Sequence, residues 1–97
     1  MSRRLIFSPA ARDDLDGIYS FIADDKPAAA IRFVRRLQSR CRPLAKNPFV
    51  GEDCSELSPR MRRLSFDGYL IFFRVDGDIV NVMRFVHGAR DWRQLFE

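Results

Sequence analysis

The side chains of this chain best suited to chemistry lie near the ends of its predicted strands. They are four cationic or titratable residues and one acid: Arg62, Arg84, His87, Arg90 and Asp91. Arginine forks bind phosphate or carboxylate groups, and histidine also moves protons near neutral pH. Two interpretations stay open on residue types alone. The group is either a cationic surface for an anionic partner, or a local structure in which Arg90 pairs with Asp91 and His87 satisfies a backbone group.

Other sequence signals of catalysis are absent. The chain has no phosphate-binding loop, no glycine-rich dinucleotide fingerprint and no His-Glu-x-x-His zinc motif. His87 is the only histidine, and Cys41 and Cys54 are the only cysteines. Because zinc takes about four such ligands, we expect no metal and no cofactor. We expect both cysteines to be small buried or half-buried thiols.

Length and hydropathy limit the architecture to one small domain. The chain has 97 residues, of which 46% are hydrophobic, so a single folded domain over residues 1–97 is expected. No apolar run approaches the roughly 20 residues of a membrane-spanning helix. The apolar run at residues 5–7 is too short for a secretory signal. We therefore expect a cytoplasmic protein with no membrane partner.

The positive charge of the chain is carried almost wholly by arginine. Lysine and arginine total 17 against 13 acids, and Lys26 and Lys46 are the only lysines. The planar guanidinium suits bidentate recognition of carboxylate or phosphate, which favours an acidic protein or a nucleic acid as partner. A GC-rich coding sequence is the alternative explanation for the arginines.

Two helices are predicted in the first half of the chain. Ser8 is a typical N-cap and Pro9 a typical first helical residue, and apolar residues recur at helical spacing up to Ala23. Asp25 is the predicted cap of a second helix over residues 27–45. Because the intervening turn is short, the two helices should form an antiparallel hairpin.

The second half of the chain has the pattern of an antiparallel sheet. Residues 46–59 are predicted as loop, Asp67-Gly68 and Asp76-Gly77 as tight turns, and the end of the chain as a short tail. The predicted strands are residues 4–7, 61–66, 69–75 and 79–86. The apolar run over residues 69–75 is typical of a central strand covered on both faces. The fold class is therefore α+β, with an N-terminal strand and a helical hairpin packed on an antiparallel meander.

The sequence resembles the ParE branch of the RelE/ParE toxins of bacterial type II toxin–antitoxin systems. The most specific motif is His87-Gly88-Ala89-Arg90-Asp91 after an aromatic strand. The matching segments run in family order over essentially the whole chain: residues 8–22, 27–34, 44–48, 61–62, 69–74 and 83–91. The family fold is a helical hairpin on an antiparallel sheet, which agrees with the pattern of elements above.

The resemblance also implies partners and an activity. ParE-like toxins inhibit DNA gyrase and block replication, without catalysis of their own. Their antitoxins are similar to ParD, a ribbon-helix-helix DNA-binding dimer whose acidic C-terminal segment wraps the toxin. We therefore expect a hetero-oligomer with an antitoxin, in which the toxin meets DNA only through that antitoxin.

On this resemblance, two sets of residues are expected to make contacts. The target-binding set is Arg62, Arg84, His87, Arg90, Asp91 and Trp92. The antitoxin-binding set combines apolar and basic side chains: Ile18, Ile22, Phe33, Leu37, Arg36, Arg40 and Arg74. The alternative for the four apolar members of the second set is an ordinary place in the core.

The RelE branch of the same superfamily provides a second hypothesis, cleavage of mRNA in the ribosome. Leu70 and Phe96 occupy positions where RelE-like toxins carry a catalytic arginine and a tyrosine. Loss of these groups removes charge stabilisation and proton transfer, which argues against cleavage. If the chain were an endonuclease, its catalytic residues would be Arg84, His87 and Arg90. A third hypothesis is a non-toxic protein that represses transcription together with the antitoxin.

Overall fold

The structure, a computed structural model, describes residues 2–96; Met1 and Glu97, the last residue of the predicted tail, lie outside it. It consists of a helical hairpin packed on one face of a five-stranded sheet, so the predicted α+β class is confirmed. The strands are β1 (Arg4–Phe7), β2 (Glu52–Asp53), β3 (Met61–Phe66), β4 (Tyr69–Asp76) and β5 (Ile79–His87). Within residues 2–96, no helix is both long enough and apolar enough to cross a membrane.

The first helix, α1 (Pro9–Ala23), begins where the sequence predicts. The Ser8 Oγ accepts a hydrogen bond of 3.0 Å from the Ala11 amide, which is an N-cap. The same hydroxyl donates to the carbonyl oxygen of Met83 in β5 at 2.8 Å. The cap therefore also fixes the start of α1 to the sheet.

The second helix, α2 (Pro27–Cys41), differs from the prediction at both ends. Lys26, and not Asp25, holds the N-cap position, and it makes no side-chain capping bond. The helix was predicted to reach residue 45, but a 3₁₀ turn, Arg42–Ala45, replaces its last turn. Pro43 has no amide hydrogen to donate to the preceding helical turn, so the α-helical ladder ends before it.

The predicted meander of β3, β4 and β5 is confirmed, with two strands added to it. Asp67 and Gly68 both have positive φ, 49° and 84°, which suits the tight turn between β3 and β4. The sheet order is β1–β5–β4–β3–β2, and β1 pairs with β5 in parallel, so the sheet is mixed. The two-residue strand β2 lies in the segment predicted as loop and pairs with β3.

Strand β4 is buried on both faces, as the sequence predicts. Phe72 and Phe73 are both 0% exposed, although their side chains point to opposite faces of the sheet. Phe73 belongs to the helix-side core, with Leu15, Leu37 and other residues of the hairpin. Phe72 belongs to a smaller tail-side core, where a 3₁₀ helix (Trp92–Phe96) covers it. The predicted tail is therefore a packed element of the fold.

Both cysteines are buried free thiols, as expected. Burial raises the pKa of the Cys41 thiol to about 12. Burial also raises the pKa of Cys54, which packs in the tail-side core. Because a thiol reacts as its thiolate, both side chains are structural.

Substitution of two glycines by alanine tests this packing, because the two changes should alter stability in opposite directions. A Cβ added at Gly17, inside α1, meets no other atom within 4 Å, so Gly17→Ala should stabilise the protein by up to about 1 kcal/mol. A Cβ at Gly51 would overlap the carbonyl oxygen of Arg63, so Gly51→Ala should destabilise it by about 1–3 kcal/mol. Urea unfolding measures both changes, and equal effects of the two substitutions would contradict the packing described here.

Candidate functional site

Arg84 lies in β5, and its guanidinium group is already occupied. Its Nε and Nη2 donate to the two carboxylate oxygens of Asp14 in α1, at 2.7 Å and 2.9 Å. The backbone amide of Phe85 donates to the same carboxylate at 2.9 Å. The side chains of Arg84 and Asp14 are only 23% and 14% exposed. The hydrogen bonds to Asp14 raise the pKa of Arg84, so its guanidinium group stays charged.

This arrangement exists because β1 is shorter than β5. β1 ends at Phe7, opposite Val82, so the rest of that edge of β5 has no neighbouring strand. The Ser8 amide donates to the Val82 carbonyl, and Asp14 then accepts the bond from Phe85. Strand β5 also carries a bulge between its pairings with Phe72 and Phe73. The first half of α1 therefore completes a sheet edge that would otherwise leave buried polar groups unpaired.

Sequence reasoning missed Asp14, although a signal for it was present. Asp14 follows Ala11 by three residues and precedes Ile18 by four, so helical spacing places it on the same face as these buried residues. An acidic side chain on the apolar face of a helix must find a cation or hydrogen-bond donors. Arg84 was available for that role in the same sequence.

The other C-terminal candidates lie at the end of β5. His87 pairs with Tyr69 across the sheet, with the two rings 5.2 Å apart in an edge-to-face arrangement. The His87 Nδ1 accepts a hydrogen bond of 3.2 Å from the Ala89 amide, as the structural interpretation predicts. His87, Arg90 and Asp91 are all exposed. In the part of the chain that the structure describes, Arg90 and Asp91 form no ion pair with each other.

Arg62 does not join this group, which corrects the sequence analysis. Antiparallel pairing sets Arg62 opposite Phe73, whereas His87 lies at the other end of the sheet. The Arg62 Nη2 donates to the carbonyl oxygens of Phe49 and Gly51, at 3.1 Å and 2.6 Å. Its guanidinium lies 5.5 Å from the centre of the Phe49 ring. Arg62 therefore fixes the segment that precedes β2.

Trp92 anchors the tail to the sheet. Its ring lies 5.3 Å from that of Phe72, and the guanidinium groups of Arg63 and Arg93 lie over it at 5.1 Å and 4.8 Å. The ring of Phe96 packs against Phe72 at 4.8 Å. Leu70 belongs to the same tail-side core. The two positions that differ from the RelE pattern, Leu70 and Phe96, are thus part of one apolar cluster.

The antitoxin-binding candidates divide between the core and the surface. Leu37 is 0% and Ile18 9% exposed, so both are core residues, which corrects their assignment to a partner surface. Arg74 lies between Phe73 and Val75 in β4, so its side chain points to the face opposite the helices. It pairs there with Asp76 at 3.3 Å.

The remaining candidates line a continuous surface along α2, here called the α2 groove. Ile22 and Phe33 are half-buried and border a recess of about 330 Å³ with Ala29, Arg32 and Arg36. A second recess, of about 430 Å³, adjoins it and is lined by Arg35, Arg36, Ser39, Arg40 and Phe66. The Arg36 guanidinium lies 5.3 Å from the Phe66 ring centre and pairs with Asp67 at 2.8 Å. The groove therefore combines apolar contacts with arginines spaced one helical turn apart.

Comparison with known proteins gives consistent matches. Residues 5–92 match the family described as the ParE toxin of the type II toxin–antitoxin system, parDE. The chain is 34% identical over 93 residues to Toxin ParE1 of Mycobacterium tuberculosis, covering 94% of this chain and 95% of that protein. The family match includes both helices, strands β2 to β5 and all of β1 except its first residue.

Two solved structures share the fold. One is from the chromosomal ParDE toxin–antitoxin system of P. aeruginosa, with a TM-score of 0.78 and 24% identity over 89% of this chain and 96% of that one. The other is from the toxin–antitoxin complex RelBE2 of Mycobacterium tuberculosis, with a TM-score of 0.60 and 21% identity over 90% and 99%.

Because Asp14 pairs the exposed edge of β5, substitutions of Asp14 should lower stability in proportion to the hydrogen bonds they remove. Asp14→Ala should lower the free energy of unfolding by about 3 kcal/mol, because it leaves the Arg84 guanidinium and the Phe85 amide without their acceptor. Asp14→Asn keeps an acceptor oxygen and should cost about 1–2 kcal/mol. The exposed neighbour Asp13 provides the control, since Asp13→Ala should change stability by less than about 0.5 kcal/mol. Urea unfolding in which Asp13→Ala and Asp14→Ala behave alike would exclude this role.

Proposed function

Because this chain belongs to the ParE toxin family of type II toxin–antitoxin systems, we propose that it stops replication by binding DNA gyrase, and that a ParD-like antitoxin neutralises it. The family match over residues 5–92 is the observation that carries the proposal. On this proposal the protein acts in the cytoplasm, where gyrase and its DNA lie, and it meets DNA only through the antitoxin.

The state of the candidate catalytic groups supports inhibition by binding. Phosphoryl transfer needs free polar groups that move protons and stabilise developing charge. Arg84 is held by Asp14, and the His87 Nδ1 already accepts a backbone bond. Leu70 and Phe96 pack in the tail-side core and offer only hydrocarbon. Of the predicted endonuclease set, Arg90 alone is an exposed cation.

We propose the exposed end of β5 and the tail as one contact surface for the target. His87, Arg90 and Asp91 are its exposed polar members, and Trp92 holds the tail in place beside them. Arg84 contributes as a positioning residue, because its bonds to Asp14 fix β5 against α1. Rigid support of this kind lowers the entropy lost when a partner binds.

For the antitoxin, we propose the α2 groove as the main contact. Its arginines face solvent on one side of α2, and Asp67 is the acidic group that pairs with one of them. An acidic segment would satisfy the remaining guanidinium groups with charge-assisted hydrogen bonds. Ile22 and Phe33, both half-buried, would receive its apolar side chains.

A supercoiling assay tests the proposed target. Purified toxin added to gyrase, relaxed plasmid and ATP should inhibit supercoiling in proportion to its concentration, because the toxin would sequester the enzyme. The same toxin mixed beforehand with its antitoxin should leave supercoiling intact. Full supercoiling at a large excess of free toxin would exclude gyrase as the target. Codon-linked cuts in translated mRNA that disappear in His87→Ala would instead establish the endonuclease.

Charge reversal in the α2 groove tests the antitoxin surface. Arg40→Glu should weaken antitoxin binding roughly tenfold or more, because it replaces an attractive contact by a repulsive one. Arg4→Glu, at an exposed arginine of β1, is the matched control and should bind almost as the unchanged protein does. Isothermal titration at two salt concentrations measures both. The assignment would be wrong if the two reversals weakened binding equally.

A further inference from the structure

The segment between the α2 end and β2 exposes two apolar side chains to solvent. Phe49 is 60% and Val50 is 54% exposed, in a short 3₁₀ turn (Pro48–Val50) whose first residue is buried. Large exposed apolar side chains that lie together on the surface of a small protein mark interaction sites. Neither residue belongs to the end of β5 or to the α2 groove.

The exposed Phe49 residue is contacted by two arginine side chains of the same chain. Arg62 donates to the backbone carbonyl oxygens on either side of Val50, those of Phe49 and Gly51. The guanidinium groups of Arg62 and Arg3 both lie over the Phe49 ring, at 5.5 Å and 5.7 Å from its centre. Arg3 is itself fixed, because its Nε donates to the Gly77 carbonyl at 3.1 Å. These contacts favour one orientation of the ring, which reduces the entropic cost of binding.

A cavity opens beside this ring. Its volume is about 310 Å³, and Phe49, Met61 and Val75 are the apolar residues that line it. Asp53, Ser55, Arg60 and Arg62 supply the polar part of its lining. Together with Val50 and Arg3, the residues that line the cavity form what we call the Phe49 surface. An apolar recess with a few polar groups at its border is the usual form of a binding site for one side chain or small group.

The charges around the cavity favour an acidic protein segment. Arg3, Arg60 and Arg62 supply three guanidinium groups. Asp76 accepts from Arg60 at 2.8 Å, and hydrogen bonds from Ser55 hold the pKa of Asp53 below its usual range. Three guanidinium groups against two carboxylates leave a small positive balance, which suits a few acidic side chains better than a run of phosphates, and apolar residues line part of the cavity. A protein segment with one apolar side chain between acidic residues therefore fits better than a nucleic acid.

The Phe49 surface is separate from the α2 groove. Met61 lines the cavity at one end of β3, and Phe66 lines the groove at the other end. At about 3.4 Å per residue, the length of β3 puts roughly 17 Å between them. A change at one surface should therefore leave binding at the other intact.

We propose that the Phe49 surface is a second docking site for the toxin's protein target, and that it receives an acidic segment through one large apolar side chain. The inference rests on the proposed function in that the protein is a toxin with a protein target, but it does not depend on that target being gyrase. Phe49 and the cavity supply apolar contact, and the three arginines select for acidic neighbours. Aromatic and arginine side chains together are typical of the residues that dominate binding energy at interfaces.

Growth arrest in cells that lack the antitoxin tests this proposal. Phe49→Ala should give roughly tenfold or more surviving colonies after induction, because truncation of a central aromatic contact commonly weakens binding by that factor. Val50→Asp, which adds a carboxylate to repel the acidic segment, should act in the same direction. Phe21→Ala in α1 is the matched control, since Phe21 is an exposed aromatic at 81% and lies outside the surface. Antitoxin affinity and urea unfolding of each purified variant should match those of the unchanged protein.

Each outcome decides the matter. Full toxicity of both Phe49→Ala and Val50→Asp would overturn the proposal, as would an unchanged protein that arrests no growth. Weaker antitoxin binding by these variants would assign the surface to the antitoxin, and crosslinking of this surface to RNA in cells would assign it to a nucleic acid. If the variants lose toxicity while the unchanged protein leaves gyrase unaffected, the docking site stands and the gyrase target does not.

Discussion

The junction between the first helix and the sheet depends on the carboxylate of Asp14. It accepts bonds from both donor groups of the Arg84 fork and from the Phe85 amide, at the point where β1 no longer covers β5. Without it, the edge of β5 would carry an unpaired amide and a partly buried cation next to the first helix. Strand β5 then continues to His87 and leads into the tail. The same bonds that close the sheet therefore also orient the end that we propose to face the target.

Strand β4 gives the physical reason for our proposal that this protein binds its target and does not cleave it. Both of its faces are buried, by the helical hairpin over Phe73 and by the tail over Phe72. Leu70 and Phe96, which stand where the RelE pattern has an arginine and a tyrosine, both pack in the tail-side core, so hydrocarbon fills that space. The surfaces that we propose for partners combine arginines with apolar contacts. Such surfaces suit recognition of proteins, because their side chains are already ordered.

Local signals in the sequence predicted the fold well, whereas long-range pairing decided the site. The Ser8 cap and the Asp67-Gly68 turn follow from residue preferences alone, and both are confirmed. The end of α2 was mispredicted although Pro43 marked it, because apolar spacing continues past that residue. The position of Arg62 relative to His87 follows from the register of β3, β4 and β5, which depends on the two turns between them. Residue types alone do not reveal that register, so the sequence placed the two residues together wrongly. The strand β2 has only two residues, which is too short to show the alternation of apolar and polar residues that predicts a strand.

The arginines of this chain serve different purposes, and the difference explains why they are not lysines. Arg84 uses both arms of its fork on one carboxylate, and Arg62 bridges two carbonyl groups while its plane lies over Phe49. Arg63 and Arg36 lie over Trp92 and Phe66 in the same way. A lysine ammonium is a compact, strongly hydrated charge and reproduces neither the fork nor the stacking. A GC-rich coding sequence therefore does not account for the arginines at these positions, where geometry requires the guanidinium. The other arginines along α2 border open recesses, and for their charge we propose an acidic partner as the reason.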